Sequence, residues 1–194
     1  MPPSAGSAAS VSWMQELSAR LAARAWEIRP AAAGERRAAV LVPLFVRETV
    51  LHVLFTRRTE TLEHHRGQIS FPGGSEEPGD ETLLATALRE TEEELGIRPA
   101  DVRSLGALPP LSTTTGFYVE PFVGAIPHPY PFRPASAEIA ELVEVPVPAL
   151  LEPGALESRM LTGRPEPTLF YRYGAHVIWG ATARMLKELL DALR

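Results

Sequence analysis

Residues 71–97 read FPGGSEEPGDETLLATALRETEEELGI, a glycine turn, a short acidic loop and then a segment with apolar residues at helical spacing. Leu83, Leu84, Ala87 and Leu88 form one stripe, Asp80 is the expected N-cap and Gly96 the C-terminal stop, so the spacing predicts a helix between them. Within it Glu90, Glu92, Glu93 and Glu94 crowd into five positions. Like charges three and four apart destabilise a helix by a few tenths of a kcal/mol per pair, roughly, unless a cation sits among them. Glu90, Glu93 and Glu94 are expected on one face and Glu92 on another, with the mutual repulsion of the three as the reason a cation binds. Magnesium takes hard oxygen ligands and retains waters, so a few carboxylates plus substrate phosphates complete its shell. Arg89, four residues before Glu93, is positioned to pair with it. The Pro72-Gly73-Gly74 turn lets backbone approach an ion or a phosphate closely.

Outward from this helix the chain reads as alternating short elements. AAVLVPLFV (38–46) and VLHVLFT (50–56) are continuous apolar runs, expected to be a hairpin of strands covered on both faces. Further strands are expected at residues 67–71, 102–108, 118–126, 139–147 and 169–178. Between them LSTTTGF (111–117) reads as a polar loop and PHPYPFRP (127–134) as an extended one, since proline excludes it from helix and central strand. Amphipathic helices are expected at residues 13–28, through Trp13, Leu17, Leu21 and Ala22, and at 181–193, through Met185, Leu186, Leu189, Leu190 and Leu193. Residues 1–12 are small and polar and expected to be disordered. The remaining residues, 13–194, are read as a single domain, which 194 residues can fill with a core needing no staple.

Composition narrows the chemistry. There is no cysteine, which excludes disulfides, thiolate catalysis and cysteine-bound zinc or iron–sulfur centres. The five histidines are scattered without zinc-ligand spacing. Net charge is −5 and Lys187 is the only lysine, so a general nucleic-acid footprint is missing. No apolar run approaches the ~20 residues of a membrane span, and the N-terminus lacks a signal-peptide pattern. The expectation is a cytoplasmic protein acting on a small molecule, with neither membrane nor nucleic acid as partner and with the oligomeric state open.

The order FPGG, acidic loop, RETEEELGI resembles the Nudix box, GX5EX7REUXEEXGU with U aliphatic. Glu81, Arg89, Glu90, Glu93, Glu94, Gly96 and Ile97 fall in place, Thr91 replaces the aliphatic residue, and the interval from Gly74 to Glu81 is one residue longer. The resemblance implies an α/β class chain with the Nudix fold, an α/β/α sandwich around a mixed β-sheet, and hydrolysis of a diphosphate linked to another moiety with Mg2+ or Mn2+. By position it implies Glu90 and Glu94 as metal ligands, Glu93 as a ligand or water-activating base, Arg89 as a catalytic-site residue, and a backbone ligand from Gly74 or its neighbour Gly73.

Upstream, LFTRRTETLEHHRGQISFPGG (54–74) is similar to the additional motif of the Nudix branch that cleaves coenzyme A. Leu54, Thr56, Arg58, Gly67 and residues 71–74 are in register, whereas Phe55, Thr59 and Glu63 differ, Glu63 standing where that pattern has arginine. A carboxylate cannot contact phosphate as arginine does, and Arg57, His64, His65 and Arg66 are near enough in sequence to compensate. Arg58, His65, Gln68 and Ser70 are the expected substrate contacts, with bracing of the loop as the structural alternative for Arg58 and His65. The implied reaction converts coenzyme A or a derivative to 3′,5′-ADP and 4′-phosphopantetheine. The rivals are a Nudix hydrolase for ADP-ribose or a dinucleotide, and a metal- or nucleotide-sensing module without turnover. Segments 115–126, 138–151 and 177–186 look similar to the same relatives. Glu138 either approaches the metals or lies at a strand edge, and Tyr130 and Phe132 either stack on a base or pin their loop.

Overall fold

The computed structural model describes residues 6–24, 26, 29–59, 67–135, 137–163 and 166–194, with side chains from residue 12 onward. Helix α1 (Gly6–Ala23) is followed by strands β1 (Arg36–Arg47), β2 (Val50–Arg58), β3 (Ile69–Ser70) and β4 (Gly73–Ser75), helix α2 (Leu83–Leu95) and strands β5 (Arg103–Ala107), β6 (Leu111–Ser112), β7 (Phe117–Ala125) and β8 (Ile139–Pro146). A short helix α3 (Val147–Leu150), strands β9 (Leu156–Arg159), β10 (Thr168–Tyr173) and β11 (His176–Trp179), and helix α4 (Gly180–Leu193) complete it.

The central sheet is mixed. β1 runs parallel to β7 and antiparallel to β2 and β4, and the principal strand order is β3-β2-β1-β7-β5, with β8 on β2 and β6 on β7. The expected β1–β2 hairpin closes through Glu48 and Thr49, both at positive φ, as a two-residue turn between twisted strands requires. Alternation along β1 divides the core: Ala38, Val42 and Leu44 pack with α1 and α4, whereas Ala39 and Leu41 pack with Leu83 and Ala87 of α2. That two-sided cover is why β1 reads as an unbroken apolar run, and each fully buried leucine in it contributes roughly 1.5–3 kcal/mol. The result is the expected α/β/α arrangement around a mixed sheet.

Several boundaries differ from expectation. α1 begins at Gly6, inside the stretch expected to be disordered, and ends at Ala23, while residues 27 and 28 of the expected helix lie outside the described residues. The expected last strand is two, β10 and β11, because the chain reverses between Tyr173 and His176, with Gly174 at positive φ. The N-cap of α2 is Thr82, whose hydroxyl accepts from the Ala85 N–H at 3.1 Å, and not Asp80. Gly96 is the left-handed C-cap, as expected. Among the described residues no helix is long and apolar enough to cross a membrane.

Candidate active site

Helix α2 carries the acidic cluster over the sheet, and the β4–α2 loop folds back onto it. Asp80, displaced from capping, instead anchors Arg89. Arg89 Nε and Nη2 donate to its two carboxylate oxygens at 3.1 and 3.2 Å, and Thr86 Oγ1 and the Glu77 N–H donate to it as well. The Arg89 guanidinium holds the Asp80 carboxyl down at about 2, and Asp80 in turn raises Arg89 above its ordinary value. Arg89 Nη2 also donates to the Ser75 carbonyl at 3.1 Å, while Nη1 lies 3.1 Å from Glu90 and 3.3 Å from Glu93. One guanidinium thus ties the end of β4, the loop and two of the glutamates together, including the Glu93 pair expected from the sequence.

The three glutamates do not share one environment. Glu90 lies against Gly74: a Cβ there would come 2.4 Å from Glu90 Cδ, so glycine is required by close approach. Glu94, 8% exposed, accepts from the Gly73 N–H at 3.4 Å. Glu93 stands apart, its side chain 60% exposed. Successive helix positions turn by about 100°, which separates Glu93 from Glu94 even though each is near Glu90 in sequence. The expectation that Glu90, Glu93 and Glu94 share one face is therefore corrected: Glu94 is buried, Glu90 lies half-buried beside it, and Glu93 stands outside the pair. Glu92 is exposed, as expected.

Burial, more than repulsion, governs the pair. It pushes Glu94 up to about 7, against the opposing pull of the Gly73 N–H and the Arg58 charge, while Glu90 and Glu138 push the same way more weakly. Burial likewise raises Glu90, opposed by Arg89. Two partly desolvated carboxylates side by side are a donor set suited to a hard cation. Among the described residues no three His, Asp or Glu side chains converge on one point, so the other oxygens of such a shell come from backbone, water or substrate.

Thr91, in place of the aliphatic residue, is fully buried and donates its hydroxyl to the Ala87 carbonyl at 2.6 Å. Its methyl group can then face the core, which accounts for the departure. The lengthened turn gives both glycines a part: Gly73 touches Glu94 and Gly74 makes room for Glu90.

These glycines also form the wall of a cavity of about 460 Å³ on the other face of the sheet, floored by Ala38, Val40 and Val119. Arg58, Gln68 and Ser70 line it, so three of the expected substrate contacts come together with Gly73 and Gly74, the glycines that Glu94 and Glu90 adjoin from the helix side. Arg58 Nε is buried with no hydrogen-bond partner among the described residues. His65, with Glu63, His64 and Arg66, lies outside the described residues. Tyr130 and Phe132 do not line the cavity; they pack with Leu95 and Ile97, and the Tyr130 hydroxyl donates to Asp101 at 2.8 Å and accepts from the Arg98 N–H at 3.0 Å. They pin the proline-rich loop. Sequence reasoning missed the far walls, formed by residues 113–115 and by Trp179, Thr182 and Arg184. Their only signal was the weak likeness of segments 115–126 and 177–186 to relatives.

A glycine turn lies against a helix whose paired carboxylates, Glu94 buried and Glu90 half-buried, are braced by one arginine, a donor set suited to a divalent cation. The NUDIX domain family matches residues 35–161, and the chain belongs to the Nudix hydrolases. It is 39% identical over 161 residues to an uncharacterised Nudix hydrolase, NudL, of Photorhabdus laumondii, covering 82% of this chain and 86% of that one. It is also 39% identical over 166 residues to NudL of Cronobacter sakazakii, covering 80% and 81%. Among solved structures it resembles a Nudix hydrolase from M. smegmatis, RenU, with a TM-score of 0.51, 20% identity and coverage of 61% of this chain and 74% of that one. A C. elegans Ap4A hydrolase complex gives 0.50 at 20% identity, covering 57% and 80%. At such identities the likeness is one of fold alone. Nudix hydrolases in general use divalent cations.

Proposed function

We propose that the protein hydrolyses the pyrophosphate bond of coenzyme A or a derivative, with Mg2+ or Mn2+, to 3′,5′-ADP and 4′-phosphopantetheine. The observation that carries the reading is the convergence of Arg58, Gln68 and Ser70 with Gly73 and Gly74 on one cavity wall, because these residues belong to the 54–74 segment that resembles the coenzyme A branch. Glu90 and Glu94, with a backbone oxygen of the Gly73-Gly74 turn, would hold the cation. Bound there, a divalent cation supplies charge neutralisation on the phosphate oxygens and lowers the pKa of a water. Arg58, its Nε unpartnered and buried, is placed to bind a diphosphate oxygen. Glu93, the one of the three with open access to solvent, suits the acceptor of the proton from the attacking water. Water oxygen bonds to one phosphorus, the bridging P–O bond breaks, and the leaving phosphate carries away the electron pair. Arg89 is a positioning residue, acting through Glu90, Glu93 and the loop. A cytoplasmic setting and a small-molecule partner accord with this reaction.

Glu63, at the expected arginine position, favours a second reading in which ADP-ribose or a dinucleotide is the substrate. The two separate in a substrate panel with magnesium and manganese. Release of both products from coenzyme A, abolished in Glu90→Gln with the fold intact by circular dichroism, is the expected result. Rapid cleavage of ADP-ribose with coenzyme A untouched would overturn it.

A further inference from the structure

Helix α4 starts at the cavity wall. Gly180, Ala181 and Thr182, its first three residues, all line the cavity, and Arg184 does so in the next turn. The preceding residue, Trp179, makes no side-chain capping hydrogen bond. The first N–H groups of a helix have no partner within it, and the aligned peptide dipoles leave partial positive charge there.

A second observation points to a ligand. Thr182 is only 8% exposed, lines the cavity, and has no hydrogen-bond partner for its hydroxyl among the described residues. Thr168, equally buried and also on the lining, is unpartnered in the same sense. The other buried threonines behave differently: Thr56 donates to the Ser70 carbonyl, Thr86 to Asp80 and Thr91 to the Ala87 carbonyl. Neither hydroxyl is fully enclosed, so both are reachable from the cavity, and two such donors in one wall beside the first N–H groups of α4 offer a set that an acceptor completes. Glu166, the single carboxylate among the described lining residues, is exposed.

We propose that the uncapped start of α4, with the Thr182 hydroxyl, binds a phosphate group of the substrate, supported by Thr168 and Arg184. The inference rests on the cavity being the substrate site, and it deepens the coenzyme A reading by assigning a second phosphate contact, apart from Arg58 and the carboxylate pair. Two phosphate sources share this chemistry: the reacting diphosphate and the 3′-phosphate of the nucleotide.

The test is steady-state kinetics of Thr182→Val and Thr182→Ser on coenzyme A and on dephospho-coenzyme A, with inorganic phosphate as a competing probe. Losing one hydrogen bond to a charged oxygen raises KM about tenfold in Thr182→Val, equal to about 1.4 kcal/mol, and weakens phosphate inhibition in parallel. Thr182→Ser, which keeps the hydroxyl, retains the wild-type KM, and the Tm of both variants stays near wild type. A KM rise on both substrates assigns the contact to the diphosphate, and one confined to coenzyme A assigns it to the 3′-phosphate; either supports the site. An unchanged KM on both substrates in Thr182→Val, or a Thr182→Ser as impaired as Thr182→Val, overturns it. Should the wild type leave coenzyme A intact, that reading fails, and the same variants and phosphate competition, read on whichever diphosphate is cleaved, still decide the site.

Discussion

Replacing Glu94 by glutamine should make the metal-free protein more stable at alkaline pH while abolishing its use of metal. Glu94 is 8% exposed, so little solvent screening applies, and its folded pKa is about 7 against an ordinary 4.5. Between those two values the folded chain retains a proton that the unfolded chain has released. Stability therefore falls as pH rises through this window and levels off above about 7. At 1.36 kcal/mol per pKa unit the loss from this one group is roughly 3 kcal/mol. Glutamine does not titrate, and its amide oxygen can still accept from the Gly73 N–H. Urea unfolding of both proteins in excess EDTA, at intervals from about pH 5 to pH 8, isolates the Glu94 contribution, since Glu90 and Glu120, also raised by burial, titrate in both. The stability difference should shift by roughly 3 kcal/mol in favour of Glu94→Gln from the acid end to the alkaline end. Adding Mg2+ at alkaline pH should then stabilise the wild type more than the variant, because a cation bound only by the folded state shifts the equilibrium by mass action. Stability curves that run parallel for the two proteins across the whole range would refute the reasoning.

Two further perturbations test the frame around the pair. Gly74→Ala places a methyl group 2.4 Å from Glu90 Cδ, so the carboxylate must swing away. Divalent-cation affinity by titration calorimetry should fall about tenfold or more, in line with the cost of disturbing a ligand's supports. Arg89→Met keeps the stem but removes the donors to Asp80, Ser75 and Glu93. With the loop and the glutamates no longer tied together, kcat/KM should drop about 100-fold, the scale of a 1 Å misplacement, while circular dichroism remains that of a folded chain.

Much of this was legible in the sequence for physical reasons that operate locally. The β1–β2 hairpin follows from apolar runs that need cover on both faces, and the stop at Gly96 follows from a left-handed cap that glycine supplies without strain. The acidic helix could be placed because its apolar stripe repeats at helical spacing up to a glycine stop. What escaped depends on contacts between distant segments. Asp80 has the chemistry of an N-cap, yet Arg89, nine residues away, competes for it, and Thr82 is left to cap the helix. The split of the last strand into β10 and β11 turns on a reversal at Gly174 that the apolar pattern passes over. Trp179, Thr182 and Arg184 meet Arg58 across a cavity only once α4 is docked on the sheet.

The same distinction changes the explanation of the acidic helix itself. From spacing, repulsion between neighbouring carboxylates is the natural reason for a cation to bind. In the fold, the glutamates that repel most freely are in water: Glu92 is exposed and Glu93 answers to Arg89. For Glu94 burial is the largest influence, and the push from Glu90 ranks below both the Gly73 N–H and the Arg58 charge. The cost that the proposed cation would relieve is thus chiefly desolvation, created by packing two carboxylates against a glycine backbone. It follows that exposed charge reversals on α2, such as at Glu92, leave the site's demand for a cation intact, whereas a change at Gly73 or Gly74, which alters no charge at all, removes its cause.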